Sequence, residues 1–165
     1  MTNPLTILLS GSPSDHDHVA KIITALGELG IESVQHIASA HKTPRRLLDL
    51  LAQYEADPRP KVFITVAGRS NALSGMVDAA VTAPVIACPP ISSSFGRADI
   101  FSSLRMPSGV APLVVLEPEN AALAAAKIFG ISDPRVSESV RRFQENQRRR
   151  LDEADGALGN QETGN

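Results

Sequence analysis

Three short runs hold the side chains best suited to chemistry: Gly11-Ser12-Pro13-Ser14-Asp15, Ser39-Ala40-His41-Lys42-Thr43-Pro44 and Ala67-Gly68-Arg69-Ser70-Asn71. In the second run, His41 lies between the end of one apolar stretch and the start of a helical one. Imidazole gives and takes protons near neutral pH, so a histidine on such rigid supports is a candidate general base or acid. Lys42 beside it offers a cation to a phosphate or carboxylate. The first run opens a helix. Its backbone N–H groups and the hydroxyls of Ser12 and Ser14 suit a phosphate, whereas the carboxylate of Asp15 suits ribose hydroxyls. An ordinary capped helix start, with Asp15 as the cap, explains the same residues. The run is neither a G-x-G-x-x-G nor a Walker loop, so neither a dinucleotide nor ATP is indicated. In the third run, Gly68 permits a close backbone approach. Ser70 and Asn71 offer donors to a small anion or a polarised carbonyl. Arg69 fits either a ligand-binding cation or a structural ion pair.

The other titratable groups read as structural. Cys88 ends the apolar run Pro84-Val-Ile-Ala-Cys88 and reads as a small core residue. As the only cysteine it forms no internal disulfide. His16 and His18 read as exposed helix residues. At i and i+2 they do not face each other, which disfavours a zinc pair, and no metal site is expected.

These runs need a scaffold. Leu5–Leu9, 33–38, 61–66, 85–88 and 112–116 read as short strands, each followed by a helical stretch. The helices are expected from Asp15 to about Gly30, from Pro44 to about Glu55, and over 71–80, 98–104, 119–129 and 134–153. Strand–helix alternation predicts a parallel sheet with helices on both faces, an α/β three-layer sandwich of flavodoxin-like form with an extra C-terminal helix. In such a sheet ligands bind beyond the carboxyl ends of the strands, where all three runs fall. The last helix has a thin apolar stripe of Val136, Val140, Phe143 and Leu151, open to packing on its own domain or on a neighbouring subunit. A single domain over 1–155 and a flexible tail over 156–165 are expected.

Composition bounds the function. The 165 residues are 42% hydrophobic and 21% charged with a net charge of −2, an ordinary globular mixture without a nucleic-acid footprint. No apolar stretch approaches membrane-spanning length, and the first residues do not form a signal peptide, so a cytoplasmic location is expected.

Read in order, Gly11-Ser-x-Ser-Asp15, Ser39-Ala-His-Lys-Thr-Pro44, Ala67-Gly68, Ser102-Ser-Leu-Arg-Met-Pro-Ser-Gly109 and the Ala-rich stretch after Asn120 resemble the phosphoribosylaminoimidazole carboxylases of purine biosynthesis, the PurE-type enzymes. One branch of that family is a mutase acting on N5-carboxyaminoimidazole ribonucleotide. It carries Ser-Ala-His-Arg and Ala-Gly-Gly-Ala-Ala-His-Leu-Pro-Gly. This chain has Lys42, and Arg69-Ser70-Asn71, with Ala72 at the second histidine of the mutase pattern. These residues, with Cys88-Pro-Pro, resemble the branch found in animal bifunctional enzymes, which joins aminoimidazole ribonucleotide (AIR) directly to CO2.

The resemblance implies an enzyme that forms 4-carboxyaminoimidazole ribonucleotide (CAIR) from AIR and CO2 without ATP, biotin or metal. It implies ribonucleotide contacts from Ser12, Ser14, Asp15, Ser39, Ala40, Lys42, Gly68 and Arg69. Ser70 and Asn71 fall where CO2 or the new carboxylate is held, and His41 becomes the proton carrier. It also implies a homo-octamer or homotetramer. The mutase is the first alternative. A non-catalytic ribonucleotide-binding module is the second; a phospho-receiver is disfavoured because Asp15 stands without an acidic cluster.

Overall fold

The computed structural model describes residues 2–162. Five strands form one parallel sheet in the order β2-β1-β3-β4-β5: β1 Leu5–Ser10, β2 Glu32–Ile37, β3 Lys61–Val66, β4 Val85–Ala87 and β5 Leu113–Val114. This is the expected flavodoxin-like order, and it reverses direction at β1, between β2 and β3. β1 is wholly buried, and its side chains alternate between two cores. Leu5, Ile7 and Leu9 join Leu47, Leu51, Phe63, Leu73 and Val77 under helices α2 (Pro44–Glu55) and α3 (Ala72–Asp78). Leu8 joins Val19, Ile22, Leu26, Val62 and Ile64 under α1 (His16–Glu28) and α5 (Pro118–Gly130). Full burial of each such side chain contributes about 1.5–3 kcal/mol.

The α5 face is built of Ala121, Ala122, Ala125 and Ala126, all fully buried, so α1 and α5 pack at close range. A 3-10 turn (Pro13–Asp15) precedes α1, and two more (Ser93–Phe95, Ala98–Ile100) precede the short α4 (Phe101–Leu104). The fifth strand is only two residues long, shorter than the 112–116 expected, because Leu113 lies exposed at the sheet edge with β4 as its sole strand neighbour.

The last helix, α6, runs Pro134–Glu162 and so continues through much of the stretch expected to be a tail; 163–165 lie outside the described residues. Val136, Val140 and Phe143 pack on the chain's own core, whereas Leu151 and Leu158 are 71% and 64% exposed. Among the described residues no helix is long and apolar enough to cross a membrane.

Candidate active site

The carboxyl ends of β1, β2 and β3 open into one cleft of about 530 Å³. Each strand contributes one of the three runs singled out above.

After β1, the Gly11 N–H donates to the Val66 carbonyl at 2.9 Å, pinning the first loop to the end of β3. Ser12 is extended, and its Oγ accepts from the Ser14 N–H at 3.2 Å while lying 2.8 Å from Ser14 Oγ. The cap of this helix start is therefore Ser12. Asp15 makes no side-chain cap bond, contrary to expectation, because the intervening 3-10 turn moves the first free N–H groups upstream to Ser12. The Asp15 carboxylate lines the cleft instead. Burial pushes its carboxyl above the ordinary value, opposed by the Ser12 backbone and His18.

After β2, the histidine turn is held by a five-residue staple, Ser39 to Thr43. The Ser39 N–H donates to Thr43 Oγ1 at 2.9 Å, and the Thr43 N–H and hydroxyl both donate to the Ser39 carbonyl at 2.9 and 3.3 Å. The Lys42 N–H donates to Ser39 Oγ at 3.2 Å. Pro44 starts α2 at a position where its missing N–H has no intrahelical use. His41 and Lys42 thus project from a closed turn, exposed and lining the cleft.

After β3, Gly68 lies directly against the Pro90 carbonyl, and Arg69 takes a left-handed backbone with φ 57. Arg69 and Ser70 are exposed and line the cleft. Asn71 does not. It is 3% exposed: its Nδ2 donates to Ser103 Oγ at 2.9 Å, and its side-chain oxygen accepts from the Ser74 N–H at 3.1 Å, capping α3. Its own N–H donates to Ser102 Oγ at 2.9 Å. Asn71 thus supports the loop by joining it to Ser103 and to the start of α3, with one N–H and one lone pair of its amide engaged.

Ser12, Ser14, Asp15, Ser39, Ala40, His41, Lys42, Gly68, Arg69 and Ser70 all line the same cleft. Gly11, Ala67 and Ser92 line it as well, and Leu73, Pro90 and Ile91 give an apolar wall beside Gly68. The sequence signal for this wall is the Pro89-Pro90 pair at a strand end. Among the described residues lining the cleft, His41 is the only histidine. A smaller hollow of about 230 Å³ at the opposite end of the sheet is lined by Asn3, Glu32 and the Asp133–Arg135 pair and holds none of these groups.

His18 is the largest departure from expectation. It is half-buried, with Nε2 3.3 Å from Cys88 Sγ. Burial pushes its imidazole below the ordinary value. Burial, reinforced by Glu117 and Glu119, pushes the Cys88 thiol up to about 12, so Cys88 is no thiolate nucleophile. His16 remains exposed as expected.

A parallel sheet that presents hydroxyls, a lysine and one imidazole around a cleft at its switch point defines an α/β enzyme of the flavodoxin-like class. A family model described as AIR carboxylase matches residues 5–150, and the chain belongs to that family. It is 57% identical to a phosphoribosylaminoimidazole carboxylase of Archaeoglobus fulgidus, over 92% of this chain and 83% of that one. A bifunctional phosphoribosylaminoimidazole carboxylase/phosphoribosylaminoimidazole succinocarboxamide synthetase of Homo sapiens is 44% identical over 82% of this chain and 32% of its own length. The crystal structure of Treponema denticola PurE superposes with a TM-score of 0.93 at 52% identity, covering 94% of this chain and 99% of that one.

Proposed function

We propose that this enzyme joins AIR to CO2 at C4 of the imidazole, giving CAIR, with His41 as the proton carrier. The observation that carries the reading is the meeting of three strand-end runs in one cleft with a single imidazole. Ser12, Ser39 and Lys42 hold the phosphate, and the Asp15 carboxylate accepts from the ribose hydroxyls. CO2, an apolar molecule, lies against Leu73, Pro90 and Ile91, with Gly68 and Ser70 next to its oxygens.

C4 of an aminoimidazole is electron-rich, as an enamine carbon is. Its π pair forms the new C–C bond to CO2, and the displaced C=O pair becomes the carboxylate. Holding the two reactants in line supplies much of the acceleration. The adduct then carries both a proton and a carboxylate on C4. Neutral His41 takes that proton, the C–H pair restores the aromatic ring, and the exposed imidazolium passes its proton to solvent. In reverse, imidazolium protonates C4 before CO2 departs.

The mutase reading is disfavoured because Ala72 begins α3 with a methyl group where the mutase pattern carries its second histidine. Incubating the purified protein with AIR plus bicarbonate, against N5-carboxyaminoimidazole ribonucleotide, separates the two. CAIR formed from AIR supports the direct carboxylase; CAIR formed only from the N5-carboxylated compound overturns it. We further propose a cytoplasmic homo-oligomer. Exposed Phe95, Phe101, Leu104 and Leu113 along one stretch of chain support self-association, which light scattering tests.

A further inference from the structure

The wall beside Gly68 has an unusual anchoring problem. Pro89 and Pro90 have no backbone N–H, so neither can donate a hydrogen bond to its neighbours. The Pro90 carbonyl nevertheless stands hard against Gly68. The placement of this wall therefore falls to the residues on either side. On the far side, the Ser92 N–H donates to Asp99 Oδ2 at 2.9 Å. On the near side stands Cys88, whose N–H donates to the Thr65 carbonyl at 2.8 Å. Its thiol points to the Leu116 carbonyl at 3.6 Å and meets His18 Nε2 at 3.3 Å. A thiol proton directed to Leu116 leaves the sulfur to accept from His18 in its Nε2–H tautomer. Cys88 is thereby tied to β3, to the chain after β5 and to α1 at once.

We propose that His18 is a positioning residue for the carboxylate end of the site: through Cys88 it fixes the Pro89–Pro90 wall against Gly68. The proposal rests on the carboxylase reading above. It separates two jobs in one cleft. Asp15, Ser39 and Lys42 hold the ribonucleotide on one side, and the wall fixes the small reactant on the other. Loss of the His18–Cys88 contact should then impair the handling of CO2 while leaving ribonucleotide affinity intact.

The test compares His18→Phe with His18→Gln in the full chain. Phenylalanine keeps the bulk and loses the donor; the glutamine amide N–H reaches about as far as Nε2. In His18→Phe, kcat for CAIR decarboxylation should fall about ten- to hundredfold, because small misplacements near reacting atoms cost that much. The bicarbonate needed for the forward reaction should rise, with AIR affinity by calorimetry within about twofold of the parent. His18→Gln should recover most of kcat. Three results overturn the proposal: equal loss in both variants, a parallel loss of AIR affinity, or a lowered melting temperature with unchanged kinetic constants. Failure of the carboxylase reading shows separately, in the parent protein's own choice of substrate.

Discussion

The carbonyl oxygen of Pro90 stands 2.7 Å from the point where a Cβ on Gly68 would sit. That contact is backbone against backbone, so neither side can swing away as a flexible side chain could. Both residues line the cleft at the end assigned to CO2. Gly68→Ala should displace the Pro90 segment and lower kcat/KM at least about tenfold, with overpacking costing about 1–3 kcal/mol. Steady-state kinetics beside thermal melting checks both; an alanine variant with parent activity would mean that the wall can move without penalty.

His41→Asn removes the proton carrier and keeps a polar side chain on the stapled turn. Turnover should drop by about 10²–10⁴-fold, the usual worth of general acid–base help. Calorimetry should still detect ribonucleotide binding, since Ser39, Lys42 and Asp15 are untouched. Near-parent turnover would remove His41 from the mechanism.

Lys42→Met should act on binding rather than on chemistry. A charged hydrogen bond to phosphate contributes about 1.5–3 kcal/mol, so KM for the ribonucleotide should rise about ten- to hundredfold. The salt dependence of binding should weaken at the same time. An unchanged KM across a salt series would place the phosphate elsewhere.

Asn71→Ala leaves the Ser74 N–H and the Ser103 hydroxyl without their partner in a buried spot. The expected cost is about 1–3 kcal/mol of stability, read in urea unfolding. CO2 handling should change only as far as the loop shifts. A large rise in the bicarbonate requirement with full stability would restore the ligand contact that the resemblance implied.

His18 also predicts a pH dependence. Burial holds its folded-state value below the ordinary 6.5, with Lys21 adding to the effect and the Cys88 backbone, Asp15 and Glu117 opposing it. As pH falls through 6.5 the unfolded chain takes up this proton first, so stability falls with falling pH below that point. His36 is shifted the same way by burial and Arg46, so the parent slope carries both. His18→Gln should remove one part and leave a shallower slope in melting temperature against pH. An identical slope would mean that His18 titrates alike in both states.

The sheet was legible because its signals are local. Leu5–Leu9 and 61–66 are apolar runs of strand length, and Gly68 and Pro44 punctuate their neighbours. The cleft followed from the rule that ligands sit at strand ends, and ten of the residues named from sequence line it. What escaped was set by packing between distant elements. His18 looked exposed beside His16, yet it stands four residues before Ile22 and eight before Leu26 on the buried face of α1. That i, i+4, i+8 spacing was the available signal. The burial of Asn71 was not legible because its partners, Ser102 and Ser103, lie about 30 residues away in sequence.

Because Cys88 is the chain's sole cysteine, a thiol reagent modifies one position only. A thiol held near 12 and fully covered reacts only when its corner of the fold opens. The protein thus contains its own clock for the local opening of β4 and the proline wall, readable by alkylation at rising temperature without any added label. Saturating AIR should slow that clock to the extent that bound substrate and the closed corner require each other.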